Sequence, residues 1–177
     1  MRVSKREHIL DTGLAIIERE GLTALTFEAL AAESGVTKGG LLYHFPSREA
    51  LIEAIHRHVA EQWSAAVRAA AGDREVERLD DRERVEAYLR STTEATRAEL
   101  LLMLEAADNR SLHRVWQEVL DRWAPSTDEG TDDAGVRRLI VQLAADGLWL
   151  HAAIGGEPLS EELRARVDHE LAALLDQ

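Results

Sequence analysis

The chain has 177 residues and a formal net charge of −12, with 45% hydrophobic and 31% charged residues. This length and composition predict a globular protein with a sizeable core, built as one large or two small domains. Because there is no cysteine, disulfides, thiolate zinc sites and a cysteine nucleophile are excluded. No apolar run approaches the roughly 18 residues of a membrane span, and the polar start is unlike a signal peptide. We therefore expect a cytoplasmic protein that does not act at a membrane.

The acidic charge is distributed unevenly. Residues 1–58 contain 7 Lys and Arg against 8 Asp and Glu, whereas the remainder contains 14 against 25. The first stretch is therefore close to neutral, and nearly all of the negative charge lies beyond it. Since a strongly acidic surface repels nucleic acid, only the first third of the chain is suited to approach DNA.

Helical periodicity and capping residues predict four helices in that first third. Gly21 ends the first, Thr26 caps the second, Gly35 ends it, and Thr37 caps the third. Pro46 disfavours continuation of the third helix, and Ser47 caps a long fourth one. The predicted bounds are Ser4–Glu20, about 27–34, Lys38 to about Phe45, and 48–71.

The sequence pattern beyond the fourth helix also predicts helices. Residues 73–84 are almost all charged and predict a solvated helix end or a connector, and a fifth helix then carries one apolar face from Val85 to Leu104. A break at residues 109–111 precedes a helix with a regular stripe from Leu112 to Trp123. Residues 124–135 have loop composition, and two further helices follow, at Val136–Ile154 and after Ser160. The predicted fold class is all-α, with about nine helices.

Residues 26–59 predict a helix-turn-helix, in which the second of two short helices enters the major groove of DNA. The pattern resembles that of the tetracycline-repressor (TetR) family. The matching positions are Thr26, Phe27, Leu30, Ala31, Gly35, Val36, Thr37, Leu41, His44, Phe45, Ser47, Arg48 and Leu51. Leu42 departs from it, because the family often has an aromatic residue there; leucine can instead touch a thymine methyl.

The resemblance implies a helix-turn-helix DNA-binding domain at residues 1–47, with the motif at about 26–45. Residues 48–177 would form a ligand-binding and dimerisation domain, with the helix at 48–71 as connector. The implied function is a ligand-responsive regulator, most often a repressor, that binds a near-palindromic double-stranded operator as a homodimer. Leu41 and Phe45 are predicted to face inward. The predicted DNA-contacting residues are Thr26, Thr37, Lys38, Gly39, Gly40, Leu42, Tyr43, His44 and Arg48.

Aromatic residues are scarce, at 5%, and most lie beyond residue 58. A mostly apolar pocket with a few polar groups is the usual form of a small-molecule site, so we expect an apolar or aromatic effector. Packing in an ordinary core is the alternative for each residue. The candidate ligand-binding residues are Tyr88, Met103, His113, Trp116, Trp123 and Trp149.

The last two long helices are expected to pair across a two-fold axis, although completing a monomer core is the alternative. Small residues at positions 144 and 147 would allow close helix approach. The predicted dimer-interface residues are Leu139, Ile140, Leu143, Gly147, Leu148, His151, Leu163, Val167, Leu171 and Leu174.

Other classes of function have little support. Glu53, His56 and His58 are too few and too divergent for a metal site, so we interpret them as surface residues and predict no metal and no cofactor. No nucleophile elbow, phosphate loop or dinucleotide fingerprint is present, which argues against an enzyme such as a small-molecule hydrolase. A helical adaptor protein that does not bind DNA remains the main alternative.

Overall fold

A computed structural model describes residues 4–91, 95–123 and 132–176. These residues form nine α-helices and two short 3-10 helices, without a strand among them, which confirms the all-α prediction. Among the described helices, none combines the length and apolar character that crossing a membrane requires. The helices are α1 Lys5–Glu20, α2 Phe27–Ser34, α3 Lys38–His44, α4 Arg48–Ala70, α5 Asp81–Ser91, α6 Arg97–Asp108, α7 Arg110–Trp123, α8 Asp133–Ala153 and α9 Glu161–Leu174.

Side-chain caps set the starts of the helices, as the sequence predicts. A hydroxyl before a helix accepts a hydrogen bond from one of the first free backbone N–H groups. Thr26 accepts from the Ala29 N–H at 3.1 Å, and Thr37 accepts from the Gly40 N–H at 3.2 Å. Ser47 and Ser160 cap α4 and α9 in the same way. Gly35 ends α2 in the left-handed conformation, with φ +68°, a backbone geometry that favours glycine.

By its contacts the chain divides into two compact units. The first contains the described residues up to Glu61 together with Thr96–Trp116. Within it, α6 is tied to the end of α1, because Arg97 donates to the Glu18 carbonyl at 2.8 Å and the Glu18 carboxylate accepts from the Ala98 N–H at 2.6 Å. The buried apolar side chains of this unit include Ile9, Leu10, Ile16, Ile17, Leu30, Leu41, Leu51, Ile55 and Leu102.

The second unit contains the described residues of Gln62–Ala95 and of Gln117–Gln177. One part of its core is formed by Val67, Val76, Leu79, Ala87 and Trp123, and another by Val85, Tyr88, Leu89, Val141 and Ala145. The charged stretch at 73–84 is therefore not simply solvated: Val76 and Leu79 are buried in the core, while most of its charged side chains are exposed.

The prediction of one helix from Val85 to Leu104 is wrong. α5 ends at Ser91 and α6 begins at Arg97. Thr96 caps α6 in a reciprocal box: its hydroxyl accepts from the Glu99 N–H, and the Glu99 carboxylate accepts from the Thr96 N–H. Thr96 fits the helical spacing of the predicted apolar face, but its capping box starts a new helix there. α8 also begins earlier than predicted, at Asp133, and residues 124–131 of the predicted loop lie outside the described residues.

Candidate DNA-binding surface and ligand-binding residues

One side of helix α3 is apolar and packs against the protein, and the other side is exposed to solvent. Leu41 is fully buried and Phe45 is 2% exposed, which confirms the predicted inward pair. The guanidinium of Arg6 stands over the Phe45 ring, 5.5 Å from its centroid. On the outer side, Tyr43 is 85% exposed and Leu42 is 41% exposed. Together they form a small exposed apolar patch, so this side of α3 is free to contact another molecule.

The predicted DNA-contacting residues lie along α2, α3 and the start of α4. Gly40 and His44 are half-buried, and the others are exposed: Thr26, Thr37, Lys38, Gly39, Leu42, Tyr43 and Arg48. Gly40 has a local reason for lacking a side chain, since a Cβ there would lie 3.0 Å from Cγ1 of Val36. At Gly39 a Cβ would meet nothing within 4 Å, so glycine at that position only removes a side chain from the open surface.

Two of the candidate cations already have partners. Lys38 Nζ lies 2.5 Å from Glu28 Oε1, and both side chains are mostly exposed. This hydrogen bond from Lys38 is the main reason that the pKa of Glu28 is lowered. Arg48 donates to the Leu22 carbonyl at 3.3 Å. A DNA phosphate or base approaching Lys38 must therefore compete with the Glu28 carboxylate.

A buried polar cluster connects three helices of the first unit. Trp116 Nε1 donates to His56 Nδ1 at 2.9 Å, and His56 Nε2 lies 3.3 Å from Glu105 Oε2. Because Nδ1 accepts, the imidazole proton is on Nε2 and points to Glu105. Burial lowers the pKa of His56, and the Glu105 carboxylate opposes that shift. The prediction that His56 is a surface residue is wrong, since it is fully buried.

His58, two residues further along α4, lies 2.7 Å from Asp11 Oδ1 through its Nε2. Within the described part of the chain, no group of three or more His, Cys, Asp or Glu side chains could hold a metal ion.

A second polar cluster lies in the second unit. The Tyr88 hydroxyl donates to Asp146 Oδ1, and the Trp63 and Tyr88 rings meet edge to face, with centroids 5.5 Å apart and planes at 74°. Burial raises the pKa of Asp146, although the hydrogen bond from Tyr88 opposes that shift. Burial also raises the pKa of Tyr88, and the neighbouring Asp146 adds to the rise.

Sequence reasoning did not select Asp146, because a single acid in a helix is usually solvated. Its position in the apolar stretch Leu143–Leu148, next to the buried Ala145, was the available signal.

The six candidate ligand-binding residues fall into two groups of three. Met103, His113 and Trp116 belong to the first unit, and Tyr88, Trp123 and Trp149 belong to the second. Trp123 is fully buried and its Nε1 donates to Ser64 Oγ at 2.8 Å. His113 is exposed, whereas Met103 and Trp149 are half-buried. Tyr88 is the candidate whose partners include both an aromatic ring and a carboxylate.

Helices α8 and α9 expose much of their apolar surface. Leu139 is 36% exposed, Ile140 47%, Leu143 59% and Leu163 48%. Gly147 and His151 are exposed as well, and Val167 is half-buried. Leu148, Leu171 and Leu174 instead pack partly against the unit's own core. A cleft of about 520 Å³ lies between the two helices, lined by Leu148, His151, Pro158, Leu159, Arg164 and Asp168 among others.

Models of two known protein families match the chain in these same regions. Residues 9–55 match the bacterial regulatory proteins of the tetR family, and residues 82–176 match the tetracyclin repressor-like C-terminal domain. The second match alone covers more than half of the 177 residues. The chain belongs to the TetR family. It is a ligand-responsive transcriptional regulator with an N-terminal helix-turn-helix that binds DNA.

Similar proteins cover nearly all of this chain. The HTH-type transcriptional regulator BetI of Burkholderia cenocepacia is 26% identical over 194 residues, covering 99% of this chain and 95% of its own. A transcriptional regulator of Saccharomonospora viridis, solved in complex with choline, has a TM-score of 0.69 at 20% identity, covering 97% and 95% of the two chains. The multidrug-binding protein EbrR, complexed with proflavin, has a TM-score of 0.56 at 22% identity, covering 95% and 99%.

Proposed function

We propose that this TetR-family regulator is a homodimeric repressor that binds a near-palindromic operator and leaves it when a small-molecule effector binds. The orientation of α3 is the main support for DNA binding. Leu41 and Phe45 fix the helix from inside, and Leu42 and Tyr43 remain exposed on its outer side. A recognition helix needs this combination, since its seat must be rigid and its contact side must be free.

The DNA-facing residues divide by chemistry. Lys38 reaches a guanine edge or a phosphate, and Leu42 can touch a thymine methyl. Thr26, Thr37, Tyr43, His44 and Arg48 donate to phosphate oxygens. Since Gly39 and Gly40 remove two side chains that could read bases, part of the sequence preference comes from DNA shape.

The proposed division of labour places DNA binding in residues 1–47 and ligand binding and dimerisation in residues 48–177. α4, which corresponds to the predicted connector at 48–71, contributes residues to both compact units. At about 1.5 Å per residue, its 23 residues extend over roughly 35 Å. α4 is therefore the element proposed to link the effector site to the DNA-binding helices.

The effector is proposed to be an organic cation with an apolar or aromatic body. Choline and proflavin, which occur in the complexes of two structurally similar proteins, both fit that description. The strongly acidic balance beyond residue 58 would also favour a positively charged ligand. The protein is proposed to bind this molecule without converting it, and a turnover screen with the purified protein would test that part.

Selection of bound DNA fragments tests the repressor itself. The expected site contains two inverted half-sites about 34–36 Å apart, one turn of the duplex. Its affinity should fall steeply with salt, because each neutralised phosphate releases condensed counterions. Bound fragments without inverted half-sites would contradict the dimeric mode of binding. Retention of no fragment would contradict the proposed repressor.

The exposed apolar side of α8 predicts how the dimer can be broken. Leu143→Glu should convert the protein to monomers and weaken operator binding, because two charges would be buried without partners in a symmetric interface. Sedimentation or light scattering gives the mass. Leu104→Glu is a matched control, since Leu104 on α6 is also 59% exposed but is not part of the α8–α9 side. A Leu143→Glu protein that remains dimeric would place the interface elsewhere.

A further inference from the structure

We infer that Asp146, Tyr88 and Trp63 form the binding site for the charged group of an organic cation, and that Gln142 accepts a hydrogen bond from the same ligand. The inference rests on the proposed ligand response and assigns it to named residues of the second unit. Three helices supply the site: α4 carries Trp63, α5 carries Tyr88, and α8 carries Gln142 and Asp146.

The carboxylate of Asp146 lacks a counter-charge. It is half-buried, and within the described ranges no Lys, Arg or His forms an ion pair with it. Asp168 of the same unit shows the usual arrangement, with Arg164 Nε at 2.9 Å from its Oδ1. Removing a carboxylate from water without a cation is unfavourable, and the raised pKa of Asp146 reflects this cost. A positively charged ligand would supply the missing partner.

One aromatic ring is bonded to this carboxylate, and a second ring packs against the first. The Tyr88 hydroxyl donates to Asp146 and so fixes both side chains. Trp63 meets Tyr88 at 74°, so the two rings present surfaces that are nearly perpendicular. Aromatic faces attract cations, and quaternary ammonium groups are commonly bound among aromatic rings. Trp63 is half-buried, so part of its ring is exposed to solvent and can meet a ligand.

Gln142 defines a second feature of the ligand. It precedes Asp146 by four residues on α8, so both side chains lie on the same side of the helix. Its Oε1 is buried, and among the described residues no donor reaches it. A buried acceptor without a donor costs free energy, and a ligand hydroxyl or N–H would satisfy it. The site therefore favours a cation that also carries a hydrogen-bond donor.

Calorimetric titration of the full-length protein tests the assignment with choline and its neutral isostere 3,3-dimethylbutan-1-ol. The two have nearly the same shape and the same hydroxyl, so they differ in charge alone. Wild-type protein should bind choline about tenfold or more tightly than the isostere, since a desolvated cation gains about that much from aromatic rings and a carboxylate. Asp146→Asn should bring both affinities to a similar value.

Three further variants separate the site from general effects of charge or folding. Asp168→Asn removes a carboxylate of the same unit that already has a cation partner, and should keep the preference for choline. Asp146→Glu keeps the negative charge and should retain part of the preference for choline. Trp63→Leu keeps an apolar side chain and should reduce the preference several-fold. The melting temperature of each variant is measured alongside, so that loss of folding is recognised.

Two results would overturn the site. One is equal binding, or equal lack of binding, of the cation and its isostere by wild-type protein. The other is an unchanged preference in folded Asp146→Asn. Retardation of operator DNA is recorded with the same samples. If wild-type protein binds the operator but shows no preference for the cation, the proposed site is wrong and the proposed repressor function is unaffected. If wild-type protein does not bind DNA, the proposed function itself is wrong.

Discussion

Lys38→Ala is expected to weaken operator binding by about 100-fold while the dimer persists. Lys38 is the exposed cation in the first turn of α3, where it can reach a guanine edge or a phosphate. Losing one such contact costs about tenfold in affinity, and a dimer loses two of them on one operator. Gel retardation across a range of salt concentrations measures the affinity, and light scattering confirms the dimer. Unchanged affinity would show that α3 does not read DNA as proposed.

Substitution of Glu28 tests the same DNA contact, with an expected change in operator affinity in the opposite direction. Because Glu28 holds Lys38 at 2.5 Å, Glu28→Gln should release that charge, tighten operator binding several-fold and steepen the salt dependence. Glu33→Gln is the matched control: it removes the same charge from the same helix, but its partner is Arg19, also at 2.5 Å. The effect of Glu28→Gln should disappear in a Lys38→Ala background. Equal effects of the two glutamine substitutions would indicate general electrostatics instead.

The first third of this fold was predictable because its signals are local. A threonine that caps a helix bonds to a backbone N–H three residues away, and a glycine that ends one acts on its own φ angle. Thr26, Thr37 and Gly35 could therefore be identified without any knowledge of distant residues. The inward pair Leu41 and Phe45 followed from the same short-range spacing within a known motif.

The two polar clusters could not be predicted because their partners are far apart in sequence. His56 and Trp116 are separated by 60 residues, and Tyr88 and Asp146 by 58. On its helix His56 resembles an ordinary surface residue, next to Glu53 and Arg57. Its burial depends on which helices pack against α4, and helical periodicity carries no information about that choice.

Replacement of Trp116 should have the largest effect on stability. Trp116 is 5% exposed, and truncating a buried tryptophan usually costs about 3–5 kcal/mol. Trp116→Ala should lower the free energy of unfolding by about that amount, since it also removes the donor to His56. Denaturant titration measures it. Trp149→Ala removes a half-buried indole and should cost clearly less, so equal losses would contradict the structural role given to Trp116.

Trp116→Phe isolates the hydrogen bond from the packing. The lowered pKa of His56 means that the unfolded chain binds a proton at a higher pH than the folded protein does. The contribution of neutral His56 to the free energy of unfolding is therefore fully present above the ordinary histidine pKa of about 6.5. It decreases as the pH falls below that value. With phenylalanine at 116, Nδ1 has no donor and is free to bind a proton, so the pKa of His56 should rise. Stability should then depend less steeply on pH below about 6.5 than in wild-type protein. An identical pH dependence in the two proteins would show that the Trp116 hydrogen bond does not hold His56 neutral.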